Sequence, residues 1–238
     1  MAVDTPSRDT TAIRACIFDL DGVVVDTAKY HFLAWRRLAD SLGIPFSEQD
    51  NERLKGVSRI ESLKLILALG NQTLSEAEFE QALVQKNAWY LEYIEQLDAS
   101  EILPGADTLL AALKRDGVPV ALGSASKNAV LILERLNLTD AFDAIVDGTR
   151  VSEAKPDPEV FLTAARELNT APQHCLVFED AAAGVQAARN AGMHVVGIGE
   201  EAALPDADFV LPGLAQITLD QIQERIAQGQ GAVLQKEA

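Results

Sequence analysis

The sequence has few cysteines, few basic residues and no long hydrophobic run. Cys16 and Cys175 are the two cysteines of the 238-residue chain, too few for a metal cluster built on thiolates. Both lie in short apolar stretches, where a free cysteine behaves as a small hydrophobic residue. A disulfide between them is possible in principle, but reduced thiols in a cytosolic protein are the simpler interpretation.

Positive charge is also scarce. The chain has 20 Lys and Arg against 36 Asp and Glu, which gives a formal net charge of -16. A field of this sign repels nucleic acids and anionic membrane surfaces, so neither is an expected partner. It also repels phosphorylated metabolites, and any phosphate site must therefore concentrate its cations locally.

No apolar stretch approaches the roughly 18 residues that a membrane span requires. Residues 1–14 are polar and lack the apolar segment of a signal peptide. The composition, 48% hydrophobic and 24% charged, is that of a globular chain. We therefore expect a cytoplasmic protein, and we expect it to be a monomer.

Short apolar runs alternate with helical patterns after residue 102. The predicted strands are 118–124, 142–147, 174–180, 194–199 and 207–212, and the predicted helices are 105–116, 127–137, 158–168 and 182–191. Strands this apolar predict a parallel sheet covered on both faces. The stretch CIFDLD, residues 16–21, would be its first strand, and the fold class is α/β with a Rossmann-like core.

Residues 28–100 interrupt this alternation with helical patterns alone, at 30–42, 58–69 and 75–97. Ser75 and Glu78 have the spacing of a capping box. We predict a catalytic core of residues 1–27 and 101–238 with an inserted helical cap of residues 28–100. Such an insert can hinge over the carboxyl edge of the sheet and exclude water.

Asp19 and Asp21 stand at the predicted end of the first strand, where parallel sheets place their ligands. Like charges this close repel, so a cation or a positive substrate is expected to offset the cost. The alternative is a solvated turn, because Asp is common in turns.

Three further motifs follow predicted strands in chain order. After FDLDG (18–22) come Ser124, then Lys155 in SEAKPDP, then the pair Glu179–Asp180. Each is weak alone, but together they resemble the haloacid dehalogenase superfamily over nearly the whole chain. The resemblance implies that Asp19 is a nucleophile that forms an aspartyl phosphate and that Asp21 is the general acid and base.

The same resemblance implies the other core roles. It implies a Mg²⁺ site formed by Asp19, the Asp21 backbone carbonyl, Glu179 and Asp180. It places phosphoryl oxygens on Ser124 and the Ala125 N–H, with Lys155 adding positive charge. The alternative for Lys155 is an exposed lysine before a proline-initiated helix. The alternative for Ser124 is a turn hydroxyl at the end of a strand. Ala181 departs from the Ser or Thr of many relatives, which implies different tuning near the metal.

Four segments resemble the sugar phosphomutases of that superfamily: 26–31, 54–59, 124–128 and 135–145. By this resemblance the cap contacts substrate through Gly56, Val57 and Arg59. The non-transferring phosphate is bound by Ser126, Lys127 and Asn128. Cap closure is linked to Asp21 by Thr27 and His31, with support from Lys86.

Structural alternatives stay open for the cap residues. His31 could be an ordinary helix histidine beside Trp35, Lys86 a solvated face residue, and Arg59 mere helix surface. Tyr30, Trp35 and Leu38 are assigned to the core of the cap.

The resemblance implies Mg²⁺-dependent interconversion of β-D-glucose 1-phosphate and glucose 6-phosphate, through a phosphorylated Asp19 and β-glucose 1,6-bisphosphate. A sugar-phosphate phosphatase with the same core is the alternative enzyme. A catalytically silent binding or regulatory protein is the non-enzymatic alternative. Such a protein has no chemical need for the complete set of Asp19, Asp21, Lys155, Glu179 and Asp180.

Overall fold

The computed structural model describes residues 12–54, 57–215 and 217–234. One parallel sheet has the strand order β3-β2-β1-β4-β5-β6. Its strands are β1 (Ala15–Phe18), β2 (Val120–Gly123), β3 (Ala144–Val146), β4 (Cys175–Glu179), β5 (His194–Ile198) and β6 (Phe209–Leu211). The order reverses between β1 and β4, where such sheets bind ligands. The predicted α/β class with a Rossmann-like core is confirmed.

Two groups of α-helices lie within the described residues. Between β1 and β2 are α1 (Ala28–Ser41), α2 (Glu48–Glu52), α3 (Arg59–Leu69) and α4 (Glu76–Ile94). The others are α5 (Ala106–Arg115), α6 (Ala129–Arg135), α7 (Glu159–Glu167), α8 (Ala182–Asn190) and α9 (Leu219–Leu234). None of these helices is long and apolar enough to cross a membrane.

Local signals explain several helix ends. Ser75 and Glu78 form the predicted capping box of α4. Gly192, with φ +72°, follows the end of α8 as predicted. Neither α2 nor α9 was predicted from the sequence. At five residues, α2 is too short for a helical period, although Ser47 and Asp50 form a capping box at its start.

The sheet is covered on both faces. Cys16 packs in the cluster that includes residues of α5, α6 and α9, and Cys175 packs in the cluster of α7 and α8. Ala15 pairs with Cys175 across the strands, so alternation puts the neighbouring Cys16 side chain on the opposite face. Both thiols are free and buried. A disulfide between them is therefore excluded.

Helices α1 to α4, called the helical segment below, have an apolar cluster of their own. It includes Trp35 and Leu38, as predicted, with Leu63 and Ile66 of α3. Tyr90 and Ile94 of α4 join the larger cluster on the sheet instead. Tyr30 also packs against that larger cluster, and its hydroxyl donates to Glu101 at 2.7 Å. Its assignment to the cap core was wrong, because α1 lies with this side toward the sheet domain.

Two neighbouring stretches of backbone, residues 24–26 and 101–103, connect the helical segment to the sheet. Val25 and Ile102 form an antiparallel bridge. The Asp26 N–H donates to the Glu101 carbonyl at 2.9 Å, and the Leu103 N–H donates to the Val24 carbonyl at 3.0 Å. The two connections between the helical segment and the sheet thus run side by side. They lie close to the domain boundaries that we propose at 27–28 and 100–101, where a hinge would be.

Candidate active site

A cavity of about 470 Å³ lies between the carboxyl edge of the sheet and the helical segment. From the sheet side, the predicted residues that line it are Asp19, Asp21, Ser124, Ala125, Ser126, Lys127, Lys155 and Asp180. From the helical segment they are His31, Val57, Arg59 and Lys86. Thr27, Asn128 and Glu179 lie outside this lining, and Gly56 lies outside the described residues. One cavity thus brings most of the predicted side chains together.

Lys155 lies at the centre of the sheet side. Its Nζ is 2.6 Å from Asp19 Oδ1, 2.5 Å from Glu179 Oε1 and 3.2 Å from the Gly123 carbonyl. Burial lowers the pKa of Lys155, but the two carboxylates outweigh it and hold that pKa above its usual value. The lysine is buried, so the exposed-lysine alternative was wrong. It is a permanent positive charge beside Asp19.

Asp19, Glu179 and Asp180 form an acidic group at the ends of β1 and β4. Each offers a carboxylate oxygen, and these atoms lie within 4.8 Å of one another. The chain packs tightly here, because a Cβ at Gly22 (φ +79°) would overlap the Asp180 carboxylate and one at Gly184 would overlap that of Glu179. An all-oxygen donor set suits Mg²⁺. The residues present therefore fit that ion.

Glu179 is fully buried, and both of its oxygens have protein partners. Oε1 contacts Lys155, and Oε2 accepts the Ala181 N–H at 3.0 Å. Burial raises the pKa of Glu179. The contact from Ala181 uses the backbone, so it does not depend on the side chain at this position.

Asp21 lines the cavity and lies near Asp19 of the sheet side and His31 of the helical side. Its Oδ1 is buried and has no hydrogen-bond partner among the described residues, and its Oδ2 lies 3.8 Å from His31 Nε2. Burial, together with the neighbouring Asp19 charge, raises the pKa of Asp21 to about 7. A carboxyl group that titrates near neutral pH is suited to both giving and taking a proton.

Lys86 is the central cation of the helical side. It is 1% exposed, so its interpretation as a solvated face residue was wrong. Its Nζ lies 2.8 Å from His31 Nδ1 and over the rings of Trp35 and Tyr90, at 4.5 and 4.8 Å from their centroids. Burial, with Arg59 nearby, lowers the pKa of Lys86 well below its usual value.

His31 connects Lys86 with Asp21. Its ring stacks on Tyr90 with 4.1 Å between centroids. Burial, followed by the nearby Lys86 and Arg59 charges, lowers the pKa of His31 well below its usual value. Since Lys86 donates to Nδ1, the proton of the neutral imidazole is on Nε2, on the side of Asp21. Thr27 is the residue before α1 and is fully buried, with its hydroxyl close to that of Tyr90.

The 124–128 loop follows β2 along the cavity. Ser124 is 1% exposed, and its Oγ accepts the Ser126 N–H at 3.1 Å. Ser126 Oγ in turn accepts the Asn128 N–H at 3.2 Å. Asn128 Nδ2 donates to Asn87 Oδ1 of α4 at 2.9 Å. The loop is therefore held by its own side chains and tied to the helical segment.

Three cations line the cavity without a carboxylate partner. Arg59, half-buried at the start of α3, Lys86 and the exposed Lys127 form no ion pair with any residue that the structure describes. Acidic residues greatly outnumber basic ones in this chain, so three unpaired cations around one cavity are unexpected. They mark a place for an anion that comes from outside.

Several residues of this cavity were not predicted from the sequence. Asn51, Ser62 and Asn87 also line it, as does Trp35, which was assigned to the core alone. The position of Asn87 directly after Lys86 was an available signal. Asn51 gave none, because it lies on the unpredicted α2.

Comparison with known proteins agrees with this arrangement. Residues 13–192 match the family model of haloacid dehalogenase-like hydrolases. A β-phosphoglucomutase of Bacillus subtilis (strain 168) is 44% identical over 214 residues, 89% of this chain and 95% of the relative. A phosphorylated carbohydrates phosphatase of Thermotoga maritima is 34% identical over 184 residues, 76% of this chain and 82% of the relative.

The fold comparison points the same way. The crystal structure of a β-phosphoglucomutase from Clostridium difficile matches with a TM-score of 0.87 and 43% identity, over 91% of this chain and 98% of that one. The four core motifs, the parallel sheet and these matches agree, and the chain belongs to the haloacid dehalogenase-like hydrolase family.

Proposed function

We propose that the protein is a Mg²⁺-dependent phosphomutase that interconverts β-D-glucose 1-phosphate and glucose 6-phosphate. The observation that carries this proposal is that one cavity holds both the Lys155–Asp19 pair and three cations without carboxylate partners. A phosphatase needs a single phosphate site, whereas a mutase must hold a second phosphate while the first transfers. The names of two of the most similar proteins support the choice of sugar.

Asp19 is the proposed nucleophile. Its carboxylate attacks phosphorus and forms an aspartyl phosphate as the bond to the sugar oxygen breaks. Lys155, already 2.6 Å from Asp19, is placed to neutralise a phosphoryl oxygen, and Ser124 with the Ala125 N–H would bind the others. These groups are held in advance by the buried contacts of Lys155 and by the 124–128 loop.

Asp21 is the proposed general acid and base. When phosphorylated Asp19 gives its phosphoryl group to the 6-hydroxyl of β-glucose 1-phosphate, Asp21 takes the hydroxyl proton. The resulting β-glucose 1,6-bisphosphate leaves, turns around and binds again. Its 1-phosphoryl group then returns to Asp19, while Asp21 gives the proton to the sugar oxygen. A pKa of about 7 suits both directions.

We propose that Asp19, Glu179, Asp180 and the backbone carbonyl of Asp21 would hold the Mg²⁺. The Glu179 oxygens also contact Lys155 and the Ala181 N–H, so this carboxylate would in addition orient Lys155. When bound, Mg²⁺ supplies positive charge that offsets the charge on the phosphoryl oxygens.

The helical segment is proposed to hold the other phosphate. Arg59 can bind a phosphate in bidentate fashion, and Ser126 and Lys127 line the same cavity. Ser126, Lys127 and Asn128 are proposed to bind the same phosphate from the 124–128 loop. Gly56 and Val57 are proposed to contact the sugar. His31 and Lys86, with Thr27 at the start of α1, would couple closure of this segment to the position of Asp21.

A sugar-phosphate phosphatase is the second candidate. The Thermotoga maritima relative, 34% identical, carries a phosphatase name, so the core motifs do not separate the two reactions. The two differ in the acceptor of the phosphoryl group, a sugar hydroxyl or water. The separating test supplies β- and, as a stereochemical control, α-glucose 1-phosphate with Mg²⁺ and a trace phosphoryl donor, and follows glucose 6-phosphate and free phosphate separately. A mutase makes glucose 6-phosphate from the β anomer.

Arg59→Ala tests the second phosphate site. Loss of one charge-assisted phosphate contact should lower the mutase rate about 10- to 100-fold. Hydrolysis of acetyl phosphate should persist or rise, because the Lys155–Asp19 centre stays intact and water gains access. Arg53→Ala, an exposed arginine just after α2, is the matched control. An unchanged ratio of glucose 6-phosphate to free phosphate in Arg59→Ala would remove the two-phosphate argument in favour of the phosphatase.

A further inference from the structure

A chain of hydrogen bonds runs from the phosphoryl site to α4. It starts at the Ser124 hydroxyl, passes through Ser126 to Asn128 and ends on the Asn87 side chain. Asn87 and Asn128 are 41 positions apart in the sequence, one in the helical segment and one in the loop after β2. Asn87 lines the cavity, and Asn128 directly follows Lys127, which also lines it. The contact is separate from the backbone connections at Val25 and Ile102.

We propose that Asn87 is a positioning residue that orients the Asn128 amide toward the non-transferring phosphate and ties closure of the helical segment to binding of that phosphate. The inference rests on the proposed function, since it assigns a role within the same two-phosphate site.

The orientation of the Asn128 side-chain amide decides whether it can bind a phosphate. The side chain of Asn128 presents N–H donors at one end and a carbonyl oxygen at the other. Only the N–H end attracts a phosphate. Asn87 Oδ1 accepts one Nδ2 proton of Asn128, which fixes the orientation of the amide and leaves its second proton for a ligand. Without this acceptor the amide can rotate and present its oxygen to the anion.

The position of Asn87 on α4 links its contact with Asn128 to a second contact of the same helix. It directly follows Lys86, whose ammonium contacts His31 beside Asp21. The two neighbouring side chains therefore connect one helix to the proton-transfer residue and to the phosphate loop. Asn87 itself is half-buried and lines the cavity. Movement of α4 with the helical segment would therefore move both contacts together.

A double-mutant cycle on Asn87→Leu, Asn128→Leu and the double variant tests the coupling. Leucine keeps the approximate size and removes the hydrogen bond. Asn87→Leu should lower kcat/KM for β-glucose 1-phosphate about tenfold, the effect of losing one hydrogen bond. Asn128→Leu also removes the phosphate contact, so it should lower kcat/KM at least as much. The double variant should be no slower than the slower single variant, because both remove the same interaction. In Asn87→Leu, hydrolysis of acetyl phosphate should not fall, whereas a general loss of folding would lower it.

Two further variants sharpen the cycle. Asn87→Asp keeps an acceptor oxygen, so it should retain its coupling to Asn128 even where its charge weakens phosphate binding. Gln85→Leu, an exposed position on the same helix, should leave all rates unchanged. The inference is overturned if the effects of Asn87→Leu and Asn128→Leu multiply, or if Asn87→Leu behaves like Gln85→Leu.

The outcome is distinguishable from failure of the proposed function. A wild-type protein that forms no glucose 6-phosphate refutes the mutase, whatever Asn87 does. In that case the double-mutant cycle on Asn87 and Asn128 is measured on the release of free phosphate from β-glucose 1-phosphate. Effects of the two single variants that multiply in that assay refute the coupling as well.

Discussion

Two buried lysines face the same cavity from opposite sides and differ in their partners. Lys155, on the sheet side, lies within 2.6 Å of one carboxylate and 2.5 Å of another. Lys86, on the helical side, contacts an imidazole nitrogen and two aromatic faces instead. Their pKa values shift in opposite directions: that of Lys155 is raised, and that of Lys86 is lowered by burial.

The difference separates a lysine whose charge is compensated by carboxylates of the protein from one whose charge is not. Two carboxylates already compensate the charge of Lys155, so this lysine needs no anion from the substrate. The charge of Lys86 is favourable only when an anion or a closer carboxylate arrives. The sheet half, with its charge compensated, is thus suited to the chemistry, and the helical half, with its uncompensated charge, to sensing that a sugar phosphate has bound.

The largest expected effect comes from the nucleophile on the sheet side. Asp19→Asn should abolish turnover, because an amide does not attack phosphorus to form an aspartyl phosphate. The measurement is mutase and acetyl phosphatase activity, with circular dichroism to check the fold. Recovery of a protein phosphorylated at another residue in this variant would show that the nucleophile is not Asp19.

Asp21 lies between the two halves, and its loss should be the next largest effect. Asp21→Asn keeps the backbone carbonyl proposed for Mg²⁺ but cannot transfer the proton, so kcat should fall about 10²- to 10⁴-fold. Mg²⁺ affinity, measured by calorimetry, should change much less than kcat. A near-normal kcat would remove Asp21 from the role of acid and base.

The sheet side could be predicted from the sequence more completely than the helical side. Asp19 and Glu179 occupy short motifs at strand ends, and parallel strands bring such ends together. Lys155 occupies a short motif in the loop between β3 and α7. The burial of Lys86 had no such signal. It depends on α1 packing against α4, which brings His31 next to a residue 55 positions away. A pattern within one helix does not contain that contact.

The contrast between the lysines predicts opposite effects on stability. Lys155→Met leaves two buried carboxylates facing each other and should lower the free energy of unfolding by about 3–5 kcal/mol. Lys86→Met replaces an uncompensated buried charge with an apolar chain, so stability should stay within about 1 kcal/mol or rise. Urea unfolding at pH 7 measures both variants. Equal destabilisation would mean that the two lysines are held in the same way.

Titration of His31 should affect stability less than the loss of Lys155 does. Its pKa in the folded protein lies well below 6.5, so the unfolded chain binds a proton at acidic pH that the folded protein does not. Stability should therefore fall as pH drops below about 6.5, by up to about 1.4 kcal/mol per pH unit. His31→Gln, whose amide oxygen can still accept from Lys86, should remove this part of the slope between pH 6.5 and 5. His174→Gln, whose ring Nδ1 contacts the Ala12 carbonyl outside the cavity, is the matched control. If both variants keep the wild-type slope in urea unfolding, His31 is protonated in the folded state, and the helical half carries its charge before any substrate binds.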